Sequence, residues 1–563
     1  MANSGTIHYI FHDGTGLLIS LKERRIRDPI YGYIHISPIE RKIVDSEFVQ
    51  RLRSIRQLQV AHIVYPSATH TRFHHSLGVM HLGGMFAFHL IANTAAKLGV
   101  DLKKLEIKDP KDLFSIIEGV RISGLLHDLG HGPFSHAFDS AVIKQCRKLH
   151  DMGVYNHEVL GYKIYQVYLR EQILKETENY KDILYPESVI ETIDYILAPH
   201  EIASKMTRTR RIIRVLRKVI RDAFFSADII DFILRDAYYT GVIEYGTVDY
   251  KRLITNAYLI PPGSPKEEFE IVFSERVKDT IRNILFSRFW LYNNVYLHKT
   301  VRLFEHEIKE LMKLLRPVFE RILINTITGK DNEAFLKLTD ENLLEYFPEN
   351  YLKKDSPERK RAEEIIKTIK RREKKWKLIY TEEIPLTPSI KEEADKIIYD
   401  NRDKFVDVNT LRVFREEKEK ELADLLKTLR EKIIHVVRRH YRGFGEDDIW
   451  IDLPPIKFVP IISHVLMEGD LVIRFLTKVG KEVGENPKKF IKDERISDLL
   501  YAWPQVITPM RIYLRKKKNL EKFLDAIRKE VTSLLKGKKF GHITDEIIKL
   551  QYMIARLELP ETA

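Results

Sequence analysis

Three histidines and two aspartates fall between residues 127 and 139, within the stretch RISGLLHDLGHGPFSHAFD (121–139). An apolar run leads directly into them. Two explanations stand: a metal site, or a polar helix end with no chemistry. Further donors lie in separate segments. HTRFHHSLGVMHLGG supplies His70, His74, His75 and His81, NHE supplies His157 and Glu158, and ADIIDFILRD supplies Asp228, Asp231 and Asp236. A divalent ion needs neutral imidazoles and carboxylates converging from such segments, and a His and carboxylate set suits Fe, Mn, Ni, Zn or Co better than Ca. Adjacent His127 and Asp128 can bind one ion together if a helix end turns both toward it. A lone His on an apolar face is usually a satisfied core residue, and one His-Asp pair carries little weight. The density across several segments is what favours a metal site.

Helices have to position these side chains. SPIERKIVDSEFVQRLRSIRQL places Pro38 in a first turn after Ser37, with Ile39, Ile43, Phe48, Leu52 and Ile55 at helical spacing. SLGVMHLGGMFAFHLIANTAAKLG reads as a buried helix that tolerates glycines and ends at Gly99. DLFSIIEGVRISGLLHD is a further helix, interrupted at HGPFSH because Gly132 and Pro133 disfavour continuation. DAFFSADIIDFILRDAYYTG is an amphipathic helix stopping near Gly241. IHYIFHDGTGLLISL reads as a strand-like hairpin. Beyond residue 325 the character changes. Residues 353–377 read as a charged, exposed helix, TEEIPLTPS as a linker or domain edge, and 408–441 as a charged helix. DDIWIDLPPIKFVP reads as short strands around a Pro-rich turn, and PMRIYLRKKK as a late strand.

With 563 residues the chain is too long for one core, so two or three domains are expected. A single cysteine, Cys146, excludes a disulfide framework and a Cys-based zinc site within one chain. That fits a reducing cytoplasmic setting, and neither a signal segment nor a membrane span is expected. The formal net charge of +13 favours anionic partners such as nucleotides, nucleic acid or acidic membrane surfaces. The basic stretches 205–220 and 353–377 lack the interleaved aromatics that stack bases, so nucleic acid is not the favoured partner.

Taken together, DPIYGYI, QRLRSIRQL, THTRFHHSLG, LLHDLGHGPFSH and SADIIDFILRD resemble the HD-domain metal-dependent phosphohydrolases. Within them they are most similar to the deoxynucleoside triphosphate triphosphohydrolase family, whose mammalian branch joins a SAM to an HD domain. The likeness runs from about residue 24 to 310. It implies a divalent ion (Mn, Mg, Fe, Ni, Co or Zn) held by His75, His127, Asp128 and Asp228. It gives Arg72 and His131 to the triphosphate and His136 to the α-phosphorus and leaving oxygen. His157, supported by Asp139 and Glu158, would be general acid or base. Gln57 and Asp236 match positions near the sugar 3′-hydroxyl, Tyr296 the tyrosine below the sugar, and Arg288 a phosphate-contacting arginine. Asp45, Gln50 and Arg53 match a guanine-reading activator site, with Arg252, His298 and Lys299 on activator phosphates. Three positions depart from the family: Ile229 replaces a lysine, Phe232 a tyrosine, and Arg27 an activator-site asparagine.

The expected fold is mainly α, an HD-domain helical core with a smaller α+β C-terminal region. The expected domains are 1–325 (HD phosphohydrolase), 326–380 (charged helical connector) and 381–563 (C-terminal α+β region). The leading function is metal-dependent hydrolysis of deoxynucleoside triphosphates to deoxynucleoside and triphosphate. A guanine nucleotide activator and a homo-oligomer, dimer or tetramer, are implied by the same resemblance. The competing functions are another HD phosphohydrolase activity, on nucleoside monophosphates or phosphodiesters, and a nucleic-acid-binding regulatory scaffold.

Overall fold

The computed structural model describes residues 6–10, 16–20, 24–221, 225–385, 387–401, 408–454, 472–495 and 507–557. The chain divides into two compact units. One gathers the chain up to Ile369 and takes back Ile473–Glu494; the other comprises Lys370–Val472 and Arg495–Glu561.

The first unit is mainly helical. Its centre is the long helix Arg72–Leu98, packed against Pro110–Leu126 and Ala227–Thr240. The Arg72–Leu98 helix is buried on nearly every side, which is why its sequence is apolar all round and not striped. It stops at Gly99, which takes a left-handed φ of 69° that a side chain would oppose. The Pro38–Val44 helix begins as the sequence predicts. Ser37 Oγ accepts from Glu40 N, Glu40 reaches back to Ser37 N, and Pro38 fills the first turn. The hairpin expected near the start is present, with Thr6–Ile10 pairing antiparallel to Gly16–Ser20.

The first unit also carries a four-stranded sheet, in the order Ile491–Arg495, Val472–Leu476, Glu270–Ser274, Ala257–Ile260. Two of its strands come from residues expected to form the C-terminal region. The unit also extends beyond residue 325. The charged segment is helical only over Pro357–Lys370, and it buries Ala362, Ile365, Thr368 and Ile369. An apolar stripe within a highly charged sequence ties this helix to a core.

The second unit holds an antiparallel sheet in which Ile507–Arg515 lies between Trp376–Pro385 and Ile449–Asp452. TEEIPLTPS is therefore no linker over its first residues. It continues a strand whose Trp376, Ile379, Tyr380 and Ile384 are buried. The prolines mislead because Pro385 sits at the end of an edge strand, where a missing N–H costs nothing. The helices Val408–His440 and Lys538–Arg556 pack together in the same unit. The later part of DDIWIDLPPIKFVP lies outside the described residues. Among the described residues, no helix is long and apolar enough to cross a membrane.

Candidate functional site

His75 stands in the first turn and a half of Arg72–Leu98, His127 and Asp128 follow the end of Pro110–Leu126, and Asp228 lies in the first turn of Ala227–Thr240. The packing of these helices brings the four together. His75 Nε2 lies 2.9 Å from Asp228 Oδ1 and 3.7 Å from Asp128 Oδ2. His127 Nε2 lies 3.3 Å from Asp128 Oδ1 and 3.8 Å from Asp228 Oδ1. His75, His127 and Asp128 offer donor atoms all within 4.8 Å of one another. All three are buried, while the Asp228 side chain is 34% exposed and forms the open edge.

The donor set fits a divalent ion. His127 Nδ1 is committed to Gly124 O at 2.8 Å. Its Nε2 is buried and makes no hydrogen bond among the described residues, an arrangement that a buried polar atom tolerates poorly without a further partner. Burial lowers the His127 pKa, so the ring is the neutral ligand form. For Asp128 burial would raise the pKa, but Arg72, His127 and His131 outweigh it and hold the carboxyl well below its usual range.

A buried network sets the orientation of His75. Its Nδ1 meets Asp231 Oδ2 at 2.7 Å, which turns Nε2 toward Asp128 and Asp228. Asp231 in turn accepts from Arg235 Nε and Nη2, each at 2.9 Å, and from Tyr31 Oη at 2.7 Å. Asp28 completes the group by accepting from Arg235 Nη1 at 2.9 Å. A carboxylate behind a ligating histidine fixes its tautomer and raises its basicity. Burial would lower the His75 pKa, yet Asp228 and Asp231 push it up to about 10. The sequence reading named Asp231 but gave it no role, and it missed Arg235 and Tyr31. The usable signal was spacing: Asp228, Asp231 and Arg235 recur at i, i+3 and i+7 on one helix face.

The loop after Asp128 carries a second group. His131 Nε2 lies 3.3 Å from Asp128 Oδ1, and its ring stacks on His157 with centroids 3.7 Å apart. His157 Nδ1 shares a hydrogen bond with Asp139 Oδ2. His136 is half exposed and meets both rings edge-on. Burial, with Arg72 and His157 close by, keeps the His131 pKa well below the imidazole range. Burial would raise the Asp139 pKa, but His157 and His136 hold it well below normal. Glu158 accepts from Arg221 Nη1 at 2.7 Å, so the structure brings Asp139 rather than Glu158 into the bond that orients His157 Nδ1. Arg72 is no surface residue. It is buried, donates from Nη1 to Asp128 Oδ2 at 2.7 Å and from Nε to Ser135 Oγ at 3.0 Å. The chain reversal at HGPFSH is carried by Phe134 (φ 52°) and Ser135 (φ 53°), not by the neighbouring glycines.

Near the other end, Tyr296 Oη donates to Asp236 Oδ2 at 2.6 Å and His70 Nε2 meets Asp236 Oδ1 at 2.7 Å. Gln57 is buried, with an Oε1 that makes no hydrogen bond among the described residues. The Arg288 guanidinium lies 6.0 Å from the Phe232 ring and 5.9 Å from that of Tyr292. Ile229 is buried. His74 caps its own helix by accepting from Thr71 N, and His81 packs on Tyr31, so both serve structure.

Arg53 Nε donates to Gln50 Oε1 at 2.8 Å, while Asp45 pairs with Arg41. His298 Nδ1 accepts from Thr300 N to start the helix that Lys299 opens, and Arg252 donates to Arg276 O. The basic stretch 205–220 is largely used internally. Arg210 pairs with Asp112 and Glu191, Arg211 with Glu106, Arg214 with Glu268, and Arg217 caps Tyr195 O and Ala198 O.

The family model of the HD domain matches residues 72–222. An HD domain-containing protein of Acanthamoeba polyphaga mimivirus is 29% identical over 317 residues, 56% of this chain and 62% of the relative. The deoxynucleoside triphosphate triphosphohydrolase SAMHD1 of Gallus gallus is 29% identical over 360 residues, 62% of this chain and 54% of its own. SAMHD1 of Homo sapiens is 29% identical over 376 residues, 62% of this chain and 53% of its own. The chain thus spans between half and two thirds of the length of these relatives.

Proposed function

From the premise that residues 72–222 are an HD domain, we propose that this chain is a metal-dependent phosphohydrolase that cleaves deoxynucleoside triphosphates to deoxynucleoside and inorganic triphosphate. The observation that carries the reading is the convergence of His75, His127, Asp128 and Asp228 beside the His131, His157 and Asp139 group. A divalent ion held by the first four supplies positive charge to phosphate oxygens as negative charge builds on them.

The chain's own residues do the rest. Hydrolysis adds water across the bond between the α-phosphorus and O5′. The water oxygen joins phosphorus, O5′ leaves with the bonding pair, water loses a proton and O5′ gains one. His157, held by Asp139, moves the proton, and half-exposed His136 faces the leaving oxygen. Arg72 neutralises the phosphate oxygens nearest Asp128, uncharged His131 offers them a hydrogen bond, and Arg288 neutralises those further along the triphosphate. Gln57 and Asp236 bind the sugar 3′-hydroxyl. Tyr296, anchored on Asp236, packs below the sugar, where a 2′-hydroxyl would clash.

Buried Ile229 and apolar Phe232 favour a second reading, because they remove a cation and a hydroxyl from the phosphate end. In that reading the same centre hydrolyses a nucleoside monophosphate or a phosphodiester. Activation by a guanine nucleotide at Asp45, Gln50 and Arg53, and assembly into a dimer or tetramer, belong to the first reading. Product analysis separates the two. With Mn²⁺, dNTPs are expected to yield deoxynucleoside and triphosphate, and dGTP to raise turnover and assembly mass. Turnover confined to monophosphates or diesters would overturn the first reading.

Ion binding is expected to release protons. His75 in the ion-free chain is pushed up to about 10, so it is protonated throughout the neutral range. Loading displaces that proton, and affinity should rise about tenfold per pH unit below this value. Calorimetric titration of Mn²⁺ in buffers of different ionisation heat should show about one proton released per ion. Uptake independent of pH would contradict the arrangement.

A further inference from the structure

Asp340 opens the short helix Asp340–Leu344 in the stretch expected from sequence to be a charged connector, and its side chain is buried. Its Oδ1 accepts from Phe134 N at 2.7 Å, across 206 residues of chain, and its Oδ2 accepts from Arg56 N at 3.0 Å, across 284. Phe134 and Ser135 are the two left-handed residues of the loop between His131 and His136, a conformation that costs about 1–3 kcal/mol per residue and needs an outside hold. Ser135 Oγ donates to Arg56 O at 2.8 Å and accepts from Arg72 Nε. Arg51 reinforces the junction by donating to Leu338 O, Leu129 O and His131 O. Two segments that carry candidate site residues, 55–57 and 131–136, therefore meet at one carboxylate, and 70–72 joins them through Arg72 and Ser135.

We propose that Asp340 is a positioning residue whose ionised carboxylate locks the His131–His136 loop to the Arg56–Gln57 segment and so aligns His131, His136 and Arg72 for phosphate. An acceptor-only group is required there, because both facing partners are backbone N–H donors. A protonated carboxyl has one hydroxyl donor, so one of the two N–H groups loses its acceptor. The charged groups acting on Asp340 among the described residues are Arg56, at 3.5 Å, and Arg51. Burial outweighs them and raises its carboxyl to about 6. The sign matters. A carboxyl raised above its ordinary range lowers folding stability once pH rises through about 6. The charge thus serves alignment at some expense of stability.

This inference rests on the phosphohydrolase reading, and its test separates the two. Asp340→Asn keeps the shape but has a single acceptor oxygen. In the full chain with Mn²⁺ and a dNTP, kcat is expected to fall about tenfold near pH 8 with KM little changed. The wild-type kcat should drop through about pH 6 toward the variant's value, and the variant should lack that step. The melting temperature at pH 8 should not fall. A variant profile parallel to the wild type, or kcat and melting temperature falling together, would overturn the proposal. Amide exchange needs neither turnover nor a folded variant. Protection of the Phe134 N–H or the Arg56 N–H in the wild type should weaken as pH drops through about 6, after correction for intrinsic exchange. Constant protection of both would overturn the lock even if the wild type hydrolysed nothing, an outcome that would by itself end the phosphohydrolase reading.

Discussion

Asp128→Ala is expected to lower phosphohydrolase turnover by more than about a thousandfold, because it removes a charged donor from the centre on which phosphate charge is stabilised. One carboxylate serves several partners here. Its oxygens lie 3.3 Å from His127 Nε2, 3.3 Å from His131 Nε2 and 2.7 Å from Arg72 Nη1. Truncation also leaves Arg72 buried without its counter-charge, which costs about 3–5 kcal/mol. Lost activity could then reflect lost folding, so Asp128→Asn provides the control. It keeps the volume and one acceptor for Arg72 while removing the charge. The Asn variant should melt above the Ala variant, because Arg72 keeps an acceptor, yet bind Mn²⁺ far more weakly than the wild type and turn over no faster than the Ala variant. If either variant kept turnover within about tenfold of wild type with its ion bound, Asp128 would not be a ligand in the reacting centre.

Gly78→Ala is the second large effect, and it acts one turn of helix away from His75. A Cβ at residue 78 would stand 1.8 Å from Asp231 Oδ1 and 2.6 Å from Arg235 Nη2. A long side chain elsewhere could swing aside, but Asp231 is short and fixed by His75, Arg235 and Tyr31. Relief must break that buried group or separate the two helices, at a cost of about 3 kcal/mol. Displacing the carboxylate behind His75 should also weaken ion affinity about 10- to 100-fold. Gly83→Ala, on the same helix, is the comparison. Its nearest obstacle is Ile220 Cδ1 at 2.6 Å, the tip of a flexible side chain, so a smaller loss is expected. Equal melting temperatures and ion affinities for wild type and Gly78→Ala would show that the buried group does not orient His75.

Much of the site could be read from sequence, since donors for one ion must be histidines and carboxylates held at helix ends. The density of such residues across several segments pointed to a metal site, the family resemblance singled out His75, His127, Asp128 and Asp228, and helix packing brings those four together. The supporting groups were harder to see. Asp231 and Arg235 look like an ordinary exposed i, i+4 pair, and only tertiary packing buries them at 0% exposure. Phe134 and Ser135 carry no signal for a left-handed backbone, because Asp340, Arg51 and Arg56 impose it from distant parts of the chain. The boundary expected at residue 325 rested on charge density, which describes a helix surface. The buried stripe of Pro357–Lys370 decides where the helix packs.

Hydrolysis of a dNTP in ¹⁸O-labelled water, with Mn²⁺ and the products resolved by mass, tests the central claim most directly. Attack on the α-phosphorus predicts one label per turnover in the inorganic triphosphate and none in the deoxynucleoside. Label in orthophosphate or pyrophosphate, with a deoxynucleoside mono- or diphosphate as the other product, would contradict it.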